Sequence, residues 1–175
     1  DYYVKFETSN GQTTTTTFDA GTADEYNFTT TVGEGAWVEC VAPNSNKGLN
    51  ASTMPMTLVN NAVDTFLLQE TKFTDRLVGD DNSNPLPSMV QATISNMFFF
   101  KNRLGFLSKD NIILSESGLG GLTDTGEFSY NLMRTSVTSL LDSDPIDVSV
   151  ASSRVTSLLA AKGFQENLVL FSENG

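Results

Sequence analysis

At 175 residues the chain has the length of one domain or two small ones, enough to bury about 70% of the surface its unfolded form exposes. Hydrophobic residues at 39% and charged residues at 18% argue against a disordered chain, and no apolar run reaches the roughly 18–20 residues of a membrane helix. Ten Lys and Arg against 21 Asp and Glu give a net charge of −11. Both parts are acidic, with 4 basic and 12 acidic groups in residues 1–100 and 6 and 9 in 101–175, which disfavours a phosphate-gripping surface.

The absence of histidine excludes Ser-His-Asp and Cys-His nucleophile pairs and His-ligated zinc within this segment. The chain opens without methionine inside a strand-like run and stops after another, so it is expected to be an interior piece of a longer protein. No basic region with a hydrophobic stretch behind it marks a signal peptide.

Taken in chain order, the local signal is β. Tyr2 to Phe6 reads as a strand and Ala36 to Val41 as its antiparallel partner. The Thr-rich tract between them, residues 9–34, is either two exposed β arms or a loop. Around Cys40, alternation places Ala36, Val38, Cys40 and Ala42 on one small apolar face, which predicts a buried thiol acting as a small hydrophobe. A reactive thiolate would want a cationic neighbour, and the adjacent charge is Glu39. Residues 43–56 read as a surface loop, Thr65 to Phe73 as a strand, and Asp75 to Ser88 as a turn-rich connector.

Ala92 to Phe100 is predicted as a strand buried on both faces at Met97 to Phe100, with Leu104 to Leu107 continuing it. A four-residue loop, Ser108 to Asn111, then returns the chain along Ile112 to Ser115. On this reading Phe98, Phe100, Leu104 and Phe106 share one buried face, and Arg103 lies with Phe99 and Lys101. Gly118, Gly120, Gly121 and Gly126 mark a loop, Asn131 to Leu141 a short helix, and Ile146 to Val150 and Val155 to Ala160 extended runs. Asn167 to Phe171 begins another hairpin. The fold class is therefore mainly β, built of antiparallel meanders and hairpins in a sandwich, barrel or propeller, with long loops and at most a short helix. Two segments are expected, residues 1–90 with the Thr-rich insertion and 91–175 as a blade-like unit.

Several constellations could carry chemistry. Asp80-x-Asn82-x-Asn84 matches the first ligand positions of an EF-hand loop, but Pro85 stands where the glycine belongs and Gln91 where the bidentate Glu should be. Asx-turn chemistry uses the same residue types, and a calcium site of another kind is the alternative. Asp142, Asp144 and Asp147 form a second cluster, readable as a structural turn, a metal site or a carboxylate pair. Gly118-x-Gly120-Gly121 lacks the spacing and the lysine of a phosphate cradle. The sequons at Asn27 and Asn50 are expected by chance in so Asn-, Ser- and Thr-rich a chain. Arg103, among Phe98 to Phe100 and Leu104 to Phe106, is expected to pair with a carboxylate of Asp80–Asp81 or Asp142–Asp147; a solvated edge charge is the alternative.

The run Phe98-Phe99-Phe100-Lys101-Asn102-Arg103-Leu104-Gly105-Phe106-Leu107-Ser108, followed by Asn111 to Ser115, resembles the signature of the tail nozzle family of short-tailed phages, also called tail tubular protein B. Gly79 to Ser88 upstream and Leu141-Asp142-Ser143-Asp144-Pro145-Ile146-Asp147-Val148 downstream resemble that family's flanking motifs, in its order. The resemblance implies a non-enzymatic virion protein of the phage tail, without cofactor or membrane insertion. It implies a β-propeller-like body, a sixfold homomeric ring beneath an adaptor protein, contacts with tail fibres, and a channel that passes DNA without specific binding. Asp80, Asp81, Asn102, Arg103, Gly105, Asp142, Asp144, Pro145 and Asp147 are then expected to serve structure and assembly. A β-propeller module that binds host glycans is the alternative, and a depolymerase using an acid pair a third reading.

Overall fold

The computed structural model describes residues 2–9, 13–19, 25–31, 34–118, 129–151 and 157–173, with the backbone alone for 13–19 and 25–31. The predicted glycine loop at Gly120, Gly121 and Gly126 and the start of the extended run at Val155 lie outside the described residues.

The first strands are β1 (Val4–Thr8), β2 (Thr13–Asp19), β3 (Glu25–Thr31) and β4 (Gly35–Glu39). As the alternation predicts, β1 and β4 pair antiparallel, from Val4 opposite Glu39 to Thr8 opposite Gly35. β2 and β3 pair antiparallel as well, so the Thr-rich tract forms two β arms. Cys40, expected buried, is half-buried: among the described residues β1 and β4 form a two-stranded sheet, and just past β4 the chain meets a single isolated bridge, Val41 with Gly79.

The Asn-rich loop contains a short 3-10 turn at Ala51–Thr53, capped by the Asn50 side chain, which accepts from the Ser52 amide at 3.2 Å. β5 (Met56–Ala62), absent from the sequence reading, pairs antiparallel with β6 (Thr65–Glu70). The predicted strand from Thr65 to Phe73 breaks at Thr71, whose hydroxyl donates to the Pro55 carbonyl at 2.7 Å; β7 (Lys72–Phe73) resumes it.

The centre of the molecule is β8 (Asn96–Phe100), β9 (Arg103–Ser108) and β10 (Asn111–Leu114). After them come β11 (Ser129–Tyr130), β12 (Ile146–Ser149), β13 (Leu158–Phe164) and β14 (Asn167–Ser172). One four-stranded antiparallel sheet runs in the order β12-β10-β9-β8. β13 and β14 form a hairpin, so Asn167 opens the second strand of a hairpin rather than the first. β7 and β11 pair parallel and bind the two halves of the chain together.

Three corrections follow from one turn. Lys101 (φ 46°) and Asn102 (φ 62°) both occupy the left-handed region, the geometry of a two-residue hairpin turn, so the chain reverses there instead of running on. Phe100 therefore pairs with Arg103, Phe99 with Leu104, Phe98 with Gly105 and Met97 with Phe106. Residues directly opposite share a face. Leu104 and Phe106 thus lie with Phe99 and Met97, and Phe98 and Phe100 lie on the other side. Because β8 is an edge strand, Met97 and Phe99 stay exposed (49% and 61%) rather than buried. Phe98 and Phe100 are half-buried, with Phe98 stacked over Gly105, where any Cβ would collide with its ring. The β9–β10 turn is tighter than predicted. Ser108 pairs with Asn111, leaving Lys109 and Asp110 as a two-residue loop.

The helix predicted over Asn131 to Leu141 is absent. Its short polar side chains bond locally instead, Asn131 accepting from the Met133 amide at 3.1 Å and Ser136 from the Ser139 amide at 3.2 Å, which competes with helical bonding. The core sits beneath β9: Met89, Leu104, Phe106, Ile113 and Leu132, with Leu49, Met54, Phe73, Ile94 and Tyr130 packed against them.

Candidate functional site

Of the polar residues singled out by the sequence, Arg103 and the Asp142–Asp144 turn meet at the start of β9, while Asp80, Asp81 and Asp147 act elsewhere on the connectors. Arg103 opens β9 and is 8% exposed. Its Nη1 donates to the carbonyls of Ser115 (2.8 Å) and Asp144 (2.7 Å), with Ser143 at 3.3 Å, and its Nη2 donates to Asp142 (2.8 Å). The expected carboxylate pairing is therefore wrong in its acceptor and right in its turn. The Asp144 carboxylate is occupied by the Leu141 amide at 3.0 Å and Pro145 has no N–H, so the turn presents its carbonyls instead. A guanidinium with five donors suits such an array. Asn102 accepts from the Gly118 amide at 3.0 Å through its carbonyl, extending the same knot.

The other predicted residues act on neighbouring connectors. Asp80 Oδ1 accepts from the amides of Asn82 (3.0 Å) and Ser83 (2.8 Å) and from the Ser83 hydroxyl (2.8 Å), an Asx turn. Its Oδ2 accepts from Tyr3 Oη at 3.2 Å, tying the turn to the chain just before β1. Hydrogen bonds from the Ser83 amide and hydroxyl, foremost among several, lower the Asp80 pKa to about 2. Desolvation, helped by the Asp80 carboxylate, raises that of Tyr3. Asp147, on β12, accepts from the Ser88 amide at 2.6 Å and the Ser88 hydroxyl at 2.7 Å. Asp81 reaches Arg76, whose side chain is fully buried, with Oδ1 2.8 Å from Nη1; this is a charge contact without hydrogen-bond alignment.

Sequence reasoning missed three members of this network. Asn84, 2% exposed, donates through Nδ2 to the carbonyls of Val78 (3.0 Å) and Arg134 (2.9 Å) and accepts from the Arg134 amide at 3.0 Å. Glu39 accepts from the Val137 amide (2.8 Å), the Ser136 hydroxyl (3.1 Å) and the Thr138 hydroxyl. The Thr138 hydroxyl foremost, then the Val137 amide, holds Glu39 below the ordinary carboxylate value. Arg76 is the third. Of these only Asn84 carried a visible signal, its place in Asp80-x-Asn82-x-Asn84.

Chemically, this is a set of backbone clasps. Asp80, Asp144, Asp147 and Glu39 all accept from amides of the connectors. Among the described residues no three His, Cys, Asp or Glu side chains converge as metal ligands, and no helix is long and apolar enough to cross a membrane. A groove of about 1030 Å³ between the Asn-rich loop and residues 86–94 is lined by Asn46, Leu49, Asn50, Met54, Met89 and Gln91 among others, none of them charged.

Comparison with known proteins gives this architecture a family. Residues 1–175 match the family described as bacteriophage nozzle protein. The chain is also 36% identical over 151 residues to the tail tubular protein gp12 of Escherichia phage T7, an alignment covering 86% of this chain and 18% of that protein. It therefore spans about a fifth of the length of the curated relative it matches.

Proposed function

This chain belongs to the bacteriophage nozzle protein family, and from that premise we propose that it is part of a structural protein of the virion tail. Copies of the parent protein form a sixfold ring beneath an adaptor protein, with tail fibres as further contacts, around the channel through which DNA is ejected. The observation that carries this reading is the family match over residues 1–175. The geometry supports it, because the conspicuous acids shape connectors rather than an exposed reaction centre. Asp80, Asp81, Asn102, Arg103, Gly105, Asp142, Asp144, Pro145 and Asp147 then serve assembly by holding those connectors in shape. Residues 1–90 and 91–175 are both parts of a larger propeller-like body, the β12-β10-β9-β8 sheet being its blade-like unit. The glycan-binding and depolymerase readings draw no support from the family.

A conduit must let a polyanion slide. With a net charge of −11 this segment repels phosphates over about one Debye length, roughly 8 Å at physiological salt. Image reconstruction of purified virions tests the main reading, with a six-copy ring at the end of the tail as the expected result. Absence of the protein from virions refutes it. An equilibrium titration with duplex DNA at physiological salt is expected to show no binding; micromolar affinity that falls steeply with salt would reveal a phosphate-gripping surface.

A further inference from the structure

Arg76 carries a charge that the protein has shut away from water. Its side chain is 0% exposed, and Nε, Nη1 and Nη2 are all buried without an aligned acceptor. Among the described residues its only ion pair is with Asp81, whose Oδ1 lies 2.8 Å from Nη1 although its own side chain is 72% exposed. The neighbouring acids are engaged elsewhere. Asp80 accepts from the Asn82 and Ser83 amides through Oδ1 and from Tyr3 Oη through Oδ2. Asp75 lies against Gly48, with Oδ1 2.6 Å from where a Cβ would stand. Taking a guanidinium out of water is costly, and its attraction to a carboxylate has to offset that cost. Here the offset hangs on one surface residue.

That residue belongs to a turn on which remote segments converge. The Gly79 amide donates to the Cys40 carbonyl at 3.1 Å, and the Gly79 carbonyl accepts from the Ala42 amide at 2.8 Å, just past β4. Asp80 holds Tyr3 ahead of β1. Asn84 donates to the Arg134 carbonyl at 2.9 Å and accepts from the Arg134 amide at 3.0 Å. Arg76 itself donates its amide to the Lys47 carbonyl at 2.6 Å. The 79–84 turn therefore joins the β1–β4 sheet to the connector at residue 134, beside the buried guanidinium.

We propose that Asp81 is the latch of this junction: its carboxylate on Arg76 holds the 79–84 turn closed, and the remote segments dock and release together with that turn. With Asp81 in place the buried charge has its counter-ion. In any partly closed arrangement the guanidinium stays buried and unpaired, which separates the closed turn from its near neighbours in energy. The latch lies within one chain and holds whether or not copies of the parent protein form a ring.

Native-state hydrogen exchange on the full-length protein tests it with Asp81→Asn, which keeps the side-chain shape and removes the charge. Exchange at the Ala42, Gly79 and Arg134 amides is expected to quicken together by roughly tenfold or more, with the β9–β10 amides unchanged. Asp64→Asn, the same loss of charge between β5 and β6, is expected to change none of them. The decisive variant is Arg76→Met/Asp81→Asn. With the buried charge gone, protection is expected to return to within about threefold of wild type. Unchanged exchange in Asp81→Asn overturns the latch, because Arg76 then does not depend on that carboxylate. Faster exchange at Gly79 with Arg134 unaffected overturns the joint release. A double variant that exchanges as fast as Asp81→Asn overturns the latch too, since packing rather than charge then holds the turn. If Asp81→Asn does not fold, recovery of folded protein in the double variant supports the latch, and failure to recover it overturns the latch.

Discussion

Two hairpins of similar composition meet opposite fates in this molecule. In β9 all six residues from Arg103 to Ser108 are buried, and Leu107 is fully enclosed. In β5–β6 Leu58 and Leu68 are more than half exposed. Both are antiparallel, and both are rich in large apolar residues. The difference lies in their neighbours. β9 has a strand on each side, and the 142–144 turn closes over its first residue through Arg103. Among the described residues β5 and β6 have only each other as strand partners. Burial here follows from sheet position and from polar clasps, and composition does not distinguish the two.

Removing a clasp should therefore cost far more than trimming the β5–β6 hairpin. Arg103→Ala leaves buried carbonyls without a charge-assisted donor, a loss of about 3–5 kcal/mol. Native-state hydrogen exchange in the full-length protein should show it as faster opening of the Arg103–Ser115 amides, and unchanged protection would break the comparison at its centre. Phe106→Ala, at a fully buried position in the core, should cost a similar amount, roughly 3–5 kcal/mol.

Asp147→Asn probes a single clasp. It keeps the shape but removes the charged acceptor of the Ser88 amide, and is expected to cost about 1–2 kcal/mol, with the loss of protection confined to the Ser88 region. At the other extreme, Phe66→Ala should change the stability of an isolated subunit by roughly 0.5 kcal/mol or less, because its ring is 65% exposed. A large loss would mean that the β5–β6 hairpin packs on its own chain.

Acid offers a graded version of the same test. Asp80 has a folded-state pKa of about 2, below the ordinary value of about 3.9. A depressed carboxylate stabilises above its unfolded pKa and ceases to do so as pH falls through the folded one. Protection of the Asn82 and Ser83 amides should therefore be lost between about pH 4 and pH 2. Asp80→Asn should flatten that dependence while leaving the β5–β6 amides unaffected.

Much of this was legible along the chain. The pairing of β1 with β4 follows from alternation around Tyr3–Val4 and Trp37–Val38, and the Asx turn at Asp80 follows from the residue types that make such turns. The Asp142-Ser143-Asp144-Pro145 turn was equally readable, since aspartate and proline shape the backbone locally. Other features were not legible, some for a local reason and some because they depend on groups distant in sequence. Lys101 and Asn102 reverse the chain, and that single reversal set which face Phe98 and Phe100 occupy. Arg103 found carbonyls because the 142–144 turn arrived with its own carboxylate already engaged. Asn84 and Glu39 clasp a connector 50 and 98 residues away. The sequence alone determined the mainly β class, the turns at Asp80 and Asp142–Pro145 and the family signature, all of which rest on short-range stereochemistry and side-chain type. Tertiary structure alone decided which apolar residues are covered, because coverage depends on which strands lie side by side in the sheet.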